Sequence, residues 1–307
     1  MISIIIPTYN ASKQISRLLE VLINQTIKDF EIIVIDSSST DSTSNIARSF
    51  GTNVISILKK EFDHGGTRTL AGKMAKGEYL VYLSQDALPF NKFSIEKLVI
   101  PLYQNLEISA TYGRQISRNN SSTFAKFLRI QNYPENSIIK ELSDKEIFGF
   151  KTIFFSDAFA AYRKSVLEKL GWFKEKLIFG EDTYMCAKMM LSGYKISYVS
   201  DAKVFHSHDY SLSDEFKRYF DIGVFHKNED WLKKEFGNLN GEGIRYVLSE
   251  LRYIFYRGEM YLIMEFFLRN ILKLIGYNMG NHYQNINISL CKTISMNSSW
   301  WDRNRIK

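Results

Sequence analysis

Ser3-Ile4-Ile5-Ile6-Pro7-Thr8-Tyr9-Asn10 begins with a β-branched run, then a proline that stops it, then an asparagine able to cap a helix. β-Branched residues suit a buried strand, and a proline cannot donate to its ladder. Beyond Asn10, residues Ile15, Leu18, Leu19 and Leu22 return to one face at helical spacing. The strand-and-helix unit then repeats. Glu31–Ile35 is a second apolar strand, ending at Asp36 and a Ser/Thr-rich turn, and Val54–Leu58 is a third. Gly65-Gly66 reads as a loop, Thr67–Lys76 as a helix, and Tyr79–Leu83 as a fourth strand running into Ser84-Gln85-Asp86. Repeated βα units predict an α/β fold, a mostly parallel sheet flanked by helices. Ligands of such sheets bind beyond the carboxyl ends of the strands. Pro7–Asn10, Asp36–Asp41 and Ser84–Asp86 all fall there.

Outward from this half the pattern loosens. Residues from Gly113 to Ile153 read as irregular and polar, suited to a second-substrate site or to a plain connector. Order returns with Phe154–Tyr162, a helix at Lys164–Leu170, another after Glu181-Asp182, and the strand Lys195–Val199. From about Ile244 a C-terminal extension reads as helical. The expected organisation is a nucleotide-binding half (1–112), an acceptor and catalytic half (113–225) and a helical tail (226–307).

The chain's 307 residues, 45% apolar and 24% charged, are enough for a large core and exclude a disordered or fibrous protein. The apolar start is too short for a signal peptide, and no uncharged run is long enough to span a bilayer. Cys186 and Cys291 have no metal-ligand spacing and form no disulfide framework, so a reducing, cytoplasmic compartment is expected. The net charge of +7 carries no zinc-finger or RNA-binding signature, so no nucleic-acid partner is expected.

Four places carry chemistry. Asp86 leaves a buried strand at the ligand edge, where a carboxylate can hold a hard cation or simply form a turn. Glu181-Asp182 opens a helix, where acids complement the dipole, or where one can act as a general base. His206-Ser207-His208 follows a late strand, and either neutral imidazole can bind a metal or face solvent. Arg68 follows Gly65-Gly66, where backbone N–H groups and a guanidinium can meet phosphate.

The order of these motifs along one chain resembles glycosyltransferase family 2, and within it the bacterial rhamnosyltransferases. The matches are Ser3–Asn10, Ile35-Asp36-Ser37-Ser38-Ser39-Thr40-Asp41, Phe62-Asp63-His64-Gly65-Gly66-Thr67-Arg68, Leu83–Pro89, Gly180-Glu181-Asp182 and Ala202–His208. The resemblance implies a GT-A fold and an inverting transfer of a sugar from a nucleoside diphosphate to an acceptor hydroxyl. It implies that Pro7, Thr8, Asn10, Asp36, Arg68 and Gln85 bind the nucleotide-sugar. Asp86 and His206 would bind Mn²⁺ or Mg²⁺, with His208 second choice to His206, and Asp182 would be the catalytic base. Where most of the family has Asp-x-Asp, this chain has Ser84-Gln85-Asp86, and Asp36-Ser37-Ser38-Ser39 stands for the usual Asp-Asp-Gly-Ser. Both departures resemble the rhamnosyltransferase subgroup, implying dTDP-L-rhamnose as donor and a glycan or polyprenyl-diphosphate-linked acceptor in surface-polysaccharide synthesis. The competing readings are an inactive sugar-nucleotide or glycan-binding module, and a nucleotidyltransferase, which lacks its glycine-rich basic loop here.

From Arg245 to Lys307 the tail holds nine Lys/Arg against four acids, a net of +5. Its charges forbid spanning but allow peripheral contact with an anionic membrane, at the inner face of the cell membrane. Trp300 and Trp301, beside Arg303 and Arg305, are expected at headgroup level.

Overall fold

The β-branched opening run forms β1 (Ile2–Thr8), which pairs in parallel on one side with β2 (Phe30–Asp36). In this computed structural model, residues 1–237 and 241–303 are described. Helix α1 (Ser12–Ile23) buries the four apolar residues its periodicity marks, Ile15, Leu18, Leu19 and Leu22. Next come α2 (Thr43–Ser49), β3 (Asn53–Ser56), α3 (His64–Met74) and β4 (Tyr79–Leu83), then β5 (Leu88–Pro89), α4 (Ser94–Gln104) and β6 (Ile108–Ile116). The middle of the chain supplies α5 (Thr123–Asn132), β7 (Ile138–Lys140), α6 (Lys145–Phe148), β8 (Phe159–Arg163), α7 (Lys164–Lys169), α8 (Glu181–Leu191) and β9 (Lys195–Phe205). The tail is α9 (Leu212–Asn228), α10 (Asp230–Phe236), α11 (Glu242–Tyr256), α12 (Ile263–Asn281), α13 (Ile288–Ile294) and α14 (Ser298–Arg303).

The strands form one sheet in the order β3-β2-β1-β4-β8-β6-β9-β5, with β7 added beside β9. The first four are parallel, and β6 is parallel to β9. Successive side chains point to opposite faces. Ile5, Ile33, Leu80 and Tyr82 therefore enter one core, and Ile4, Ile6, Val34, Val81 and Leu83 the other.

Strand β8 enters antiparallel between β4 and β6, with Leu83 opposite Phe159. This reversal brings the start of β8 to the edge where β4 ends, and Ser84 N–H donates to Ala158 O at 3.1 Å. Likewise Phe205 at the end of β9 lies opposite both Leu88 and Ile116. Residues 84–86, 115–116, 156–158 and 206 thus converge on one edge.

Three local expectations change. Gly65 and Gly66 lie inside the first turn of α3, because Asp63 caps the helix by accepting from Gly66 N at 2.8 Å. A side chain at 65 would run into the Lys174 carbonyl, so that glycine serves close packing rather than a loop. The stretch 113–153 holds the end of β6, α5 and β7 as well as irregular backbone. Trp300 and Trp301 are buried, not at a surface: Trp300 Nε1 donates to Lys176 O at 2.8 Å, and Trp301 packs on Phe220 and Tyr283. An indole that finds apolar neighbours and an acceptor gains more inside a fold than at an interface. Arg305, expected beside them, lies outside the described residues.

Helices α9 and α12 approach closely along a seam of Gly223, Gly276 and Gly280, where an added Cβ would meet the facing backbone. Gly280→Ala should therefore destabilise the fold by about 1–3 kcal/mol, the ordinary cost of overpacking. Thermal unfolding checks this, and an unchanged midpoint would mean the seam gives way freely.

Candidate active site

The converging strand ends and the helices above them enclose a cavity of about 650 Å³. Its lining includes Arg68, Asp86, Gln115, Asp182, His206 and His208. At one end Asp86, His206 and His208 offer ligand atoms that all lie within 4.8 Å of one another. His206 Nε2 is 3.4 Å from Asp86 Oδ1, His208 Nε2 is 3.6 Å from Asp86 Oδ2, and the two Nε2 atoms are 3.0 Å apart.

Buried Gln115 at the end of β6 fixes this arrangement. Its Nε2 donates to Ser156 Oγ at 2.9 Å, which leaves Oε1 facing His206 Nδ1 at 2.8 Å. With Nδ1–H donating to that oxygen, Nε2 is the His206 nitrogen turned to the cluster, as in a metal-ligating histidine. Desolvation, then the neighbouring His206, pushes His208 down to about 4, so its imidazole is neutral at physiological pH. Burial opposes ionisation of Asp86, but the hydrogen bond from His206 and the nearness of both histidines outweigh it and hold the carboxyl at about 2. One carboxylate and two imidazoles form a donor set that fits a divalent transition ion.

The other end of the cavity is built on α8. Gly180 precedes the helix in the left-handed conformation (φ 81), which aims Glu181 and Asp182 at the cavity from the first turn. Both acids meet backbone N–H groups at the helix start and also reach across the cavity. Glu181 Oε1 pairs with Arg68 Nη1 at 2.8 Å, and Asp182 accepts from Thr183 N at 2.7 Å and from Asp157 N at 3.2 Å. Arg68 Nε also lies 3.1 Å from Asp157 Oδ2, and Asp157 Oδ1 accepts from Tyr162 OH at 2.5 Å.

Three carboxylates thus surround one guanidinium. Burial, only partly offset by Arg68 and worsened by the other two acids, drives Asp157 well above the usual carboxyl range. Burial works against ionisation of Glu181, but Arg68, His64 and backbone N–H groups at 180 and 181 together hold it below its ordinary value. Asp182 is raised to about 6, by desolvation first and the Glu181 charge second. A carboxylate tuned near neutrality is suited to take a proton from a hydroxyl.

The remaining expected residues, Pro7, Thr8, Asn10, Asp36 and Gln85, are not among those that line this cavity. Gln85 ties the ends of β4 and β1, accepting from Tyr9 N at 2.9 Å and donating to Tyr9 O at 3.4 Å. Asn10, at φ 49, accepts from Thr40 N at 2.9 Å and so joins the loops after β1 and β2. Asp36 is buried, its carboxylate taken up by Thr8 Oγ1 at 3.1 Å and by Ser39 Oγ at 2.5 Å. Pro7 sits opposite Ile35 in the ladder. Thr8, Asn10 and Asp36 therefore tie the ends of β1 and β2 and their loops together, whereas Arg68, Asp86, Asp182 and His206 line the cavity itself. Sequence reasoning missed Gln115 and Asp157 and ranked His208 second. Asp157 stands just before an apolar strand, and the logic that singled out Asp86 after one could have found it.

The profile described as Glycosyl transferase family 2 matches residues 3–171, and Glycosyl transferase family group 2 matches residues 101–270. The O-antigen chain rhamnosyltransferase WbaN of Salmonella anatum is 40% identical over 302 residues, covering 98% of this chain and 95% of that protein. The O-antigen chain rhamnosyltransferase RfbN of Salmonella typhimurium is also 40% identical, covering 98% of this chain and 96% of its own. Among solved structures, the mannosyltransferase PcManGT of Pyrobaculum calidifontis, in complex with GDP-Man and Mn²⁺, superposes with a TM-score of 0.64. It is 15% identical, and the match covers 92% of this chain and 87% of that one. TarS 1–349 of S. aureus gives 0.57 at 20% identity, covering 93% and 92%. These distant structures share the fold, while the profile and the near-full-length relatives fix the kinship: the chain is a glycosyltransferase belonging to glycosyl transferase family 2.

Proposed function

We propose that the chain transfers L-rhamnose from dTDP-L-rhamnose, with inversion, to a glycan or polyprenyl-diphosphate-linked acceptor at the inner face of the cell membrane. The observation that carries this reading is the joining, in one cavity, of a carboxylate raised to about 6 with a cluster of three metal-ligand side chains. Asp182 takes the proton of the attacking acceptor hydroxyl, held in line by the backbone N–H groups of Thr183 and Asp157. Asp86, His206 and His208 would hold the divalent ion, with Mn²⁺ favoured over Mg²⁺ because two of the three donors are imidazoles. A cation bound there would neutralise charge growing on the departing diphosphate. Pro7, Thr8, Asn10, Asp36 and Gln85 form the nucleotide crevice. Arg68 keeps the acid pair in place and adds positive charge near the diphosphate.

The rhamnose donor is supported by the two 40%-identical relatives, both named rhamnosyltransferases, and by the Ser84-Gln85-Asp86 and Asp36-Ser37-Ser38-Ser39 variants. A panel of dTDP-rhamnose, UDP-sugars and GDP-sugars with Mn²⁺, scored for released nucleotide, tests it. Release of dTDP from dTDP-rhamnose is the expected result. A clear preference for UDP-glucose would overturn the donor and leave the transferase class intact. An inactive binding module would release no nucleotide from any donor, and it would have no use for a base tuned as Asp182 is.

A further inference from the structure

Helix α12 is folded with its charged side inward. Phe266, Arg269, Lys273, Gly276 and Gly280 are the buried stripe. Arg269 pairs with Glu215 at 3.3 Å and with Glu265 at 2.7 Å, and Lys273 lies 3.8 Å from Glu215 and 4.0 Å from Glu250. The opposite stripe, at positions 264, 267, 268, 271, 274 and 275, is Met, Phe, Leu, Ile, Leu and Ile, and all six side chains are exposed, Met264 to 81% and Leu274 to 63%. The end of α11, with Tyr256 (90% exposed), and the connection from α11 into α12, with Met260 and Tyr261 (79%), continue the surface. A soluble domain rarely leaves so continuous an apolar face to water, and such faces mark contacts.

We infer that the outer face of α12 docks the protein on an anionic bilayer, lying in the interface with its axis along the membrane. The helix is 19 residues long, and no helix among the described residues is long and apolar enough to cross a membrane. It suits lying on a surface rather than spanning one. Tyr256 and Tyr261 cluster at one end of the face, beside exposed Arg252 and Arg257, which is the composition of a headgroup boundary. Charge agrees: Arg245, Arg252 and Arg257 are the exposed cations near the face, and the chain as a whole carries +7. The inner side of the same two helices, through Tyr246, Glu250, Arg269 and Lys273, lines the active-site cavity. Docking here sets that cavity against the lipid surface, which rests on the reading above that the acceptor is carried on a membrane lipid.

The test is cosedimentation of the full chain with vesicles of equal parts phosphatidylcholine and phosphatidylglycerol, at low and high salt, beside the double variant Phe267→Asp, Ile271→Asp. The intact chain should bind and the double variant about tenfold more weakly, since both changes put charge into the apolar face. Both positions are exposed, so the thermal midpoint should not fall. Failure of the intact chain to bind, or undiminished binding by the variant, overturns the inference. So does a dimer in sedimentation velocity that the variant dissolves, because the face would then belong to a second copy. Nucleotide release from the donor without vesicles reports the active-site reading separately, and the variant should retain it.

Discussion

Asp182→Asn should cut turnover by about 10²–10⁴-fold, the usual cost of losing a general base. Asparagine keeps the acceptor for Thr183 N–H and nearly the same volume, so what is lost is the proton-accepting charge rather than the fold. The pH profile supplies an independent check. A carboxyl raised to about 6 is protonated below that pH and ionised above it. The rate of the intact enzyme should therefore fall as pH drops through about 6, with a limb set by Asp182, and the variant's residual rate should lose that limb. A variant with near-normal turnover would move the base to another group, and Glu181 is the nearest alternative. Glu181 is already committed to Arg68 at 2.8 Å, which makes it a poor proton acceptor.

Chelation should abolish transfer, and Asp86→Ala should weaken Mn²⁺ binding by about 10²-fold or more. Asp86 is the one acid among the three donors, and without it an ion held by the two imidazole nitrogens would lose its only anionic ligand. His206→Ala should have a similar effect, and Gln115→Leu a smaller one, since Gln115 acts only by orienting His206 through Nδ1. Titration followed by the paramagnetic signal of free Mn²⁺ measures all three. Full activity in excess chelator would remove the metal from the account and leave the diphosphate charge to Arg68 and its neighbours.

The parallel half of the sheet was legible because each strand is an apolar β-branched run cut off by a polar turn, as at Ile6-Pro7 and Ile35-Asp36. Asp86 and His206 could be singled out because each follows such a strand, and Asp182 because it opens a helix. What could not be read was convergence. Asp157 joins the site only because β8 runs antiparallel against β4, and nothing in Phe159–Arg163 states its direction. Gln115 was hidden for the same reason, since an amide in a strand becomes a positioning group only once β9 lies beside it. The tail shows the opposite failure. Its helical periodicity was plain, but periodicity cannot say which stripe is inside when Arg269 and Lys273 find buried carboxylates. Charge that is paired can be buried, and here that left the apolar residues facing outward.

The central claim is that one cavity divides its labour, the metal cluster binding the diphosphate and Asp182 moving the proton. Calorimetric titration of dTDP with Mn²⁺ into Asp182→Asn and Asp86→Ala, side by side, tests that division most directly. Asp182→Asn should bind with affinity within about twofold of the unaltered chain, because a base acts in the transition state and not in nucleotide binding. Asp86→Ala should lose the Mn²⁺-dependent part of the affinity. Equal losses in the two variants, or an Asp86→Ala protein that still binds as tightly with Mn²⁺, would contradict the account.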